Sequence, residues 1–118
     1  MNKKLIVKTG RNVYHRILWS DLEYIQASKG RTILICKETL NTSTSFNDVL
    51  SALDGKLFQC HRSYAVNLDL VKSFTHDSIT LINKTLPLGG KYKNAFLECM
   101  FERDIFVTSS LDKSSKTE

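Results

Sequence analysis

Short runs of β-forming residues, each closed by a turn signal, fill most of this 118-residue chain. Val, Ile, Tyr, Phe and Thr favour strands, whereas Gly, Asn, Asp and Ser favour the reversals between strands. The pattern predicts strands over Leu5–Thr9, Val13–Leu18, Glu23–Ala27, Thr32–Cys36, Thr39–Ser43, Leu57–Asn67 (two strands around a turn), Val71–Phe74, Ser78–Ile82 and Thr85–Leu88. The chain is therefore predicted to be rich in strands joined by tight turns.

Two segments have the periodicity of a helix instead. In the first, the apolar residues fall at i, i+3, i+4 and i+7: Phe46, Val49, Leu50 and Leu53. Ser45 or Thr44 is expected to cap this helix and Gly55 to end it. A second helix is predicted from about Lys91 to Met100. The polar face of the first helix carries no basic residue, which argues against a helix-turn-helix reader of DNA.

The stretch Leu57–Asn67 is apolar at both ends and polar in the middle, at His61-Arg62-Ser63. Polar groups are costly to bury without partners, so these three side chains are expected at a turn. One interpretation is that they are simply solvated. The other is that they are displayed for contact, because His, Arg and Ser donate hydrogen bonds to phosphate oxygens and base edges.

Positive charge is concentrated in two blocks of the sequence. The formal net charge is +5, and residues 1–31 carry seven Lys or Arg against two acids. Residues 57–93 carry five against two, whereas residues 94–118 carry three against five. This distribution favours a one-faced surface for a polyanion over an evenly basic protein.

Three donor-rich clusters coincide with a turn or a helix start: Lys29-Gly30-Arg31, His61-Arg62-Ser63 and Lys91-Tyr92-Lys93. The planar fork of Arg62 matches the two acceptors of a guanine edge. His61 and Ser63 can bond either phosphates or bases, and Lys91 and Lys93 suit phosphates. Lys29 and Arg31 suit phosphate contact as well, although an ordinary hairpin turn with solvated charges would have the same sequence.

Four separated segments resemble the LytTR family of bacterial DNA-binding domains, in the right order over roughly residues 3 to 100. The segments are Phe58-x-x-His61-Arg62-Ser63-Tyr64-x-Val66-Asn67, Asp21-Leu22-x-Tyr24-Ile25-x-Ala27, Thr44-Ser45-Phe46 to Leu53, and Leu86-Pro87-Leu88 followed by Lys91-Tyr92. The resemblance implies a mostly β (α+β) fold of several small antiparallel sheets with one central amphipathic helix and a C-terminal helix. We expect one such domain at residues 1–107. The residues that follow are polar and rich in Ser and Lys, so 108–118 is expected to be a flexible polar tail.

The resemblance also implies a function. Members of the family are bacterial transcription regulators that read double-stranded DNA with loops, commonly as dimers on promoter repeats. Carried over by position, their DNA contacts fall on Arg31, His61, Arg62 and Lys91. Members often have a Ser-Arg pair where this chain has Gly89-Gly90, so base contacts there are expected to be lost or to pass to Lys91.

No catalytic motif is present, and the three cysteines form no CxxC or Cys/His cluster. We therefore expect no enzyme activity, cofactor, metal or small-molecule substrate. Cys36 and Cys99 are interpreted as small buried apolar residues. Cys60 precedes His61-Arg62, so either nearby positive charge lowers its pKa and makes it oxidisable, or it only fills the core. No apolar run is long enough to span a membrane, and a cytoplasmic location is expected.

Two other functions fit parts of the sequence. The apolar run Ile105-Phe106-Val107 and the acidic C-terminal segment suit a protein-interaction module, in which 105–107 forms an added strand or a partner-facing patch. Binding of single-stranded RNA would need exposed aromatic rings for stacking. The candidates Tyr14, Trp19 and Tyr24 lie where packing in the core is the expected role.

Overall fold

A computed structural model of the chain describes residues 3–53 and 55–108. These residues form ten strands and two helices: β1 (Lys4–Gly10), β2 (Val13–Leu18), β3 (Tyr24–Ser28), β4 (Arg31–Ile35), β5 (Thr39–Thr42), α1 (Phe46–Ala52), β6 (Phe58–His61), β7 (Tyr64–Val66), β8 (Ser73–Phe74), β9 (Ser78–Thr80), β10 (Thr85–Pro87) and α2 (Gly90–Arg103). Short 3-10 turns lie at Trp19–Asp21 and Leu68–Leu70. The expected class, mostly β with a central and a C-terminal helix, is confirmed.

The central element is a five-stranded antiparallel sheet in the order β5-β4-β3-β7-β6. Strand β3 pairs with β4 on one side, with Ser28 opposite Arg31, and with β7 on the other side. A register shift between Gln59 and His61 marks a bulge in β6, where that strand meets β7. The strands of the Leu57–Asn67 stretch therefore lie at one side of the sheet, with their turn at its end.

Side chains alternate between the two faces of this sheet and build a separate core on each. The first core holds Val7, Ile17, Leu22, Ile25, Leu34, Cys36, Leu40, Phe46, Val49, Leu53, Leu57 and Ala65. The second holds Tyr24, Cys60, Val66, Ile79, Leu81, Leu86, Leu88, Phe96 and Met100. Neighbours such as Tyr24 and Ile25 belong to different cores, which explains why the central strands are apolar at consecutive positions.

Each core is closed by a smaller layer. The β1–β2 hairpin and α1 cover the first, with Val7 and Ile17 pointing inward from the hairpin. The three-stranded sheet β10-β9-β8 and α2 cover the second. Phe96 is fully buried there and meets the rings of Phe58 and Phe74 edge-on, at centroid distances of 5.7 and 5.2 Å. This packing fixes α2 beside β6.

Local signals account for the ends of α1. The Ser45 side chain accepts a hydrogen bond from the Asp48 backbone N–H (3.2 Å), so Ser45 is the N-cap. After the helix, Gly55 has a φ of +76°, a left-handed conformation that favours glycine. Both assignments agree with the sequence pattern.

Asn67 is a fully buried polar residue with its hydrogen bonds satisfied. Its side-chain amide donates to the carbonyl oxygens of Trp19 (3.3 Å) and Leu22 (2.9 Å), and its carbonyl accepts from the Asp69 N–H (3.0 Å). The start of β3 and the end of β7 are thereby tied together. This tie lies at the end of the sheet opposite the turns that follow β3 and β6.

Two expectations from the sequence were wrong in detail. Of the two alternatives for residues 105–107, the added strand is wrong: they form no strand, and Ile105 is 92% exposed. Tyr14 is 60% exposed rather than packed in the core, although Tyr24 is buried and Trp19 half-buried, as expected. The predicted tail at 108–118 lies outside the described residues, apart from Thr108.

Candidate nucleic-acid interface

All three donor-rich clusters lie at one end of the five-stranded sheet. Strands β3 and β7 are antiparallel, so the turn after β3 and the turn before β7 are neighbours. A hydrogen bond from the Ala27 N–H to the Ser63 carbonyl oxygen (2.9 Å) joins them directly. We call this end, with Lys29, Arg31, His61, Arg62, Ser63, Lys91 and Lys93, the cationic end.

The β3–β4 turn holds its two central residues in left-handed conformations. Lys29 has a φ of +52° and Gly30 a φ of +78°, as in the type I′ turns whose twist matches that of a β-hairpin. Lys29, Gly30 and Arg31 are all exposed. The turn therefore presents two cations on a defined backbone at the end of the sheet.

The β6–β7 turn is ordered by His61. Its Nδ1 accepts a hydrogen bond from the Ser63 backbone N–H (3.1 Å), and its ring lies 5.6 Å from that of Tyr64. An accepting Nδ1 carries no proton, so in the neutral ring the proton is on Nε2, which is left as a donor. Arg62 is exposed at the tip of this turn. The turn thus offers a guanidinium and an imidazole N–H side by side.

The start of α2 is held against the end of β6. The Gly89 N–H donates to the Cys60 carbonyl oxygen (2.8 Å), and a Cβ built on Gly89 would lie 3.8 Å from the His61 ring. Gly89 is the N-cap without a side-chain hydrogen bond, so backbone N–H groups of the first turn remain available. Lys91 is exposed and Lys93 half-buried on this first turn, which the Gly89–Cys60 bond holds beside the end of β6.

The electrostatics of the cationic end favour an anionic ligand. None of its five Lys and Arg residues forms an ion pair with another residue in the described part of the chain. Lys91 instead has its ammonium 5.6 Å from the Tyr92 ring centroid. Five like charges on adjoining turns attract a polyanion and are stabilised by it.

One residue at this end was not recognised from the sequence. His76 is exposed in the β8–β9 turn, and the backbone of the next residue, Asp77, accepts a hydrogen bond from the Leu88 N–H (3.0 Å). Since Leu88 directly precedes Gly89, this turn borders the start of α2. The antiparallel order of β8, β9 and β10 was the available signal, because it returns the β8–β9 turn to the end of β10.

Of the two interpretations of Cys60, core filling is confirmed and an oxidisable thiol is wrong. Cys60 is fully buried, its S–H points to the Tyr64 carbonyl oxygen (3.7 Å), and burial raises the pKa of its thiol to about 12. Burial also raises the pKa of the Cys36 thiol, whereas Cys99 is half-exposed rather than buried as expected. The positive charge next to Cys60 in sequence points outward from the sheet end and does not reach the sulfur.

We expect one fast thiol in the native protein. With a chromogenic disulfide reagent at pH 8, Cys99 should react first, because Cys36 and Cys60 are buried and, with raised pKa values, remain protonated at that pH. Denaturant should release the other two. The control is Cys99→Ser, which should remove the fast phase, and a fast phase that persists in this variant would contradict the assignment.

Residues 12–100 match the family described as LytTr DNA-binding domain. The chain belongs to this family. It is accordingly a DNA-binding domain of the kind used in bacterial transcription regulation, and the family is not one of enzymes. The resemblance carried by the four sequence segments is confirmed.

A solved structure supports the same fold. The chain is similar to the LytTr DNA-binding domain of a Bacillus cereus protein described as a putative methyl-accepting/DNA response regulator, with a TM-score of 0.66 and 21% identity. The similarity covers 82% of this chain and 95% of the other. A search of curated protein sequences gave no match.

The described residues add two observations on other classes of site. None of their helices is long and apolar enough to cross a membrane. No group of three or more His, Cys, Asp and Glu side chains among them is arranged to hold a metal ion.

Proposed function

We propose that this LytTr domain binds double-stranded DNA sequence-specifically with the loops of its cationic end, and thereby regulates transcription in the bacterial cytoplasm. The observation that carries the proposal is the convergence of three donor-rich segments, far apart in sequence, on one end of one sheet. The surface consists of turns rather than a recognition helix, because α1 packs on the first core and α2 contributes only its first turn.

The proposed contacts divide into two kinds. Arg62 reads a base edge, since it stands exposed at the tip of its turn and its fork can bond two acceptors of guanine. His61, through Nε2–H, and Ser63 contact bases or phosphates beside it. Phosphates are bound by Lys29, Arg31, Lys91 and Lys93, with the free N–H groups of α2 helping.

Duplex DNA suits this end better than a single strand. Single-strand binders stack bases on exposed aromatic rings. The exposed aromatic residues lie elsewhere: Tyr14 on the β1–β2 hairpin, and Phe101 and Phe106 at and after the C-terminal end of α2. Tyr64 and Tyr92 at the cationic end are half-buried against the second core. Cations on projecting turns, without an open stacking platform, fit grooves and phosphates.

The remaining parts of the proposal follow from the family. We propose that residues 1–107 form the binding domain and that two copies bind repeated promoter sites together. The two cores on the faces of the five-stranded sheet draw their buried residues from Val7 to Met100.

The phosphate contacts are testable without a known target. Lys91→Ala should weaken binding to a random-sequence duplex and lower the slope of log affinity against log salt by about one unit, because one phosphate contact is lost. Fluorescence anisotropy over a salt series measures both quantities.

The matched control for Lys91→Ala is Lys84→Ala, which removes the same charge. Lys84 is exposed between β9 and β10, at the end of that sheet opposite the β8–β9 turn. For Lys84→Ala, the slope of log affinity against log salt should stay within error of the wild-type value. Equal slopes for Lys91→Ala and the wild-type protein would place the DNA elsewhere on the surface.

A further inference from the structure

The outer face of the β1–β2 hairpin is cationic around an apolar centre. In the antiparallel register Ile6 lies opposite Arg16 and Lys8 opposite Tyr14, so these side chains share the face turned away from the core. Ile6 is 72% exposed. Residues 3–18 contain no Asp or Glu. We call Lys4, Ile6, Lys8, Tyr14 and Arg16 the hairpin face.

The end of α2 carries the opposite character. Glu98, Phe101 and Glu102 fall at i, i+3 and i+4 and are all exposed. The segment that follows exposes Ile105 and Val107, which are 92% and 87% accessible. We call these five residues the C-terminal patch. The C-terminal patch therefore combines acidic and apolar side chains, whereas the hairpin face combines basic and apolar side chains.

The two surfaces lie on opposite sides of the five-stranded sheet. The hairpin covers the first core, whereas α2, and Phe74 whose ring faces Phe101 at 6.3 Å, belong to the layer over the second core. In the described part of the chain no ion pair joins Lys8 or Arg16 to Glu98 or Glu102, so the charges of both surfaces are open to a partner. A partner with the matching chemistry is supplied by a second copy of the chain.

We propose that copies of this protein associate head to tail, with the hairpin face of one copy on the C-terminal patch of the next. Lys8 and Arg16 then face Glu98 and Glu102, while Ile6 and Tyr14 cover Ile105 and Val107. Burial of exposed Ile and Val favours this over contact of the hairpin face with DNA, whose phosphates would pair with the cations but leave Ile6 uncovered. The interface is heterologous, so it does not close into a two-fold dimer.

Head-to-tail association also suits copies bound at neighbouring sites on DNA, and this role rests on the proposed function. A heterologous contact relates each copy to the next by the same operation, so all copies in the assembly have the same sense. Each copy could then contact the same duplex in the same direction.

Charge exchange between the two surfaces tests the association in solution. In one variant the hairpin face is reversed with Lys8→Glu and Arg16→Glu, and in another the patch is reversed with Glu98→Lys and Glu102→Lys. Sedimentation velocity of the full chain at low salt, at concentrations up to about 1 mM, detects association even when the dissociation constant is about 1 mM. The wild-type protein should associate, and each variant alone should sediment as a monomer.

An equal mixture of the two variants should associate again, because an acidic hairpin face then meets a basic patch and the reverse. The control, Lys37→Glu with Lys84→Glu, has the same net charge as the hairpin-face variant and should behave like the wild-type protein. Wild-type protein that stays monomeric throughout, or a mixture that stays monomeric while the wild-type protein associates, would overturn the proposal.

A DNA measurement separates this inference from the proposed function. On a duplex with two selected sites in tandem, the wild-type protein should bind several-fold more tightly per site than on a single site. The hairpin-face variant should lose that ratio while still binding the single site. Absence of single-site binding by the wild-type protein would count against the proposed function, whereas single-site binding with no tandem gain would count against head-to-tail association on DNA.

Discussion

Arg62→Ala should lower the affinity for the preferred duplex about 5- to 150-fold, which corresponds to the loss of one base contact of about 1–3 kcal/mol. Arg62 is exposed at the tip of the β6–β7 turn, with no ion pair in the described part of the chain. Its removal therefore costs the fold little, and the melting temperature should stay close to the wild-type value. Anisotropy titrations with the preferred duplex and with one altered at a single guanine measure the effect.

Arg62→Lys tests whether the planar guanidinium, and not only its positive charge, is needed for base reading. A lysine keeps the attraction to phosphates but cannot bond two guanine acceptors in one plane. The variant should keep the wild-type salt slope and still lose discrimination against the altered duplex. If Arg62→Ala binds the preferred duplex as tightly as the wild-type protein does, or discriminates as well, Arg62 is not the reading residue.

Phe96→Ala should destabilise the fold strongly, lowering the free energy of unfolding by about 3–5 kcal/mol. Phe96 is fully buried and holds α2 against β6 and β8 through the rings of Phe58 and Phe74. Its removal leaves a cavity in the second core that rigid strands cannot fill. The total free energy of unfolding of a domain of this size is about 5–15 kcal/mol. The variant should therefore unfold at a much lower urea concentration than the wild-type protein.

Phe101→Ala is the matched control on the same helix. Its side chain is 43% exposed and meets the rings of Phe74 and Phe106 at the surface. The same chemical change there should cost far less than at Phe96. Comparable losses in the two variants would mean that α2 is not docked through Phe96, and the position of Lys91 beside His61 would no longer follow.

The sequence was sufficient for the elements because their causes are local. Alternation, turn residues and caps are each set within a few positions, as at Ser45 and at the Lys29-Gly30 turn. Strand β4 was also readable from its run of β-forming residues, although only one face is fully buried: Leu34 is buried, whereas Ile33 and Ile35 are half-buried. The clusters of the candidate site were found for the same reason: each is a short segment with its own signal.

What the sequence could not supply depends on contacts between distant segments. The burial of Cys60 follows from its inward place on β6 against the second core, whereas sequence neighbours suggested a reactive thiol. Tyr14 is exposed because the β1–β2 hairpin covers the sheet with Val7 and Ile17 and turns its other face outward. His76 joins the cationic end only through the pairing of β8, β9 and β10.

Selection from a random duplex library, with the retained DNA sequenced after washes at rising salt, tests the central claim most directly. Sequence-specific reading by the cationic end predicts an enriched motif that survives moderate salt, contains a guanine that Arg62→Ala no longer selects, and recurs at a fixed spacing. Retention that disappears with salt and enriches no motif would show attraction to a polyanion alone, and would contradict sequence-specific binding.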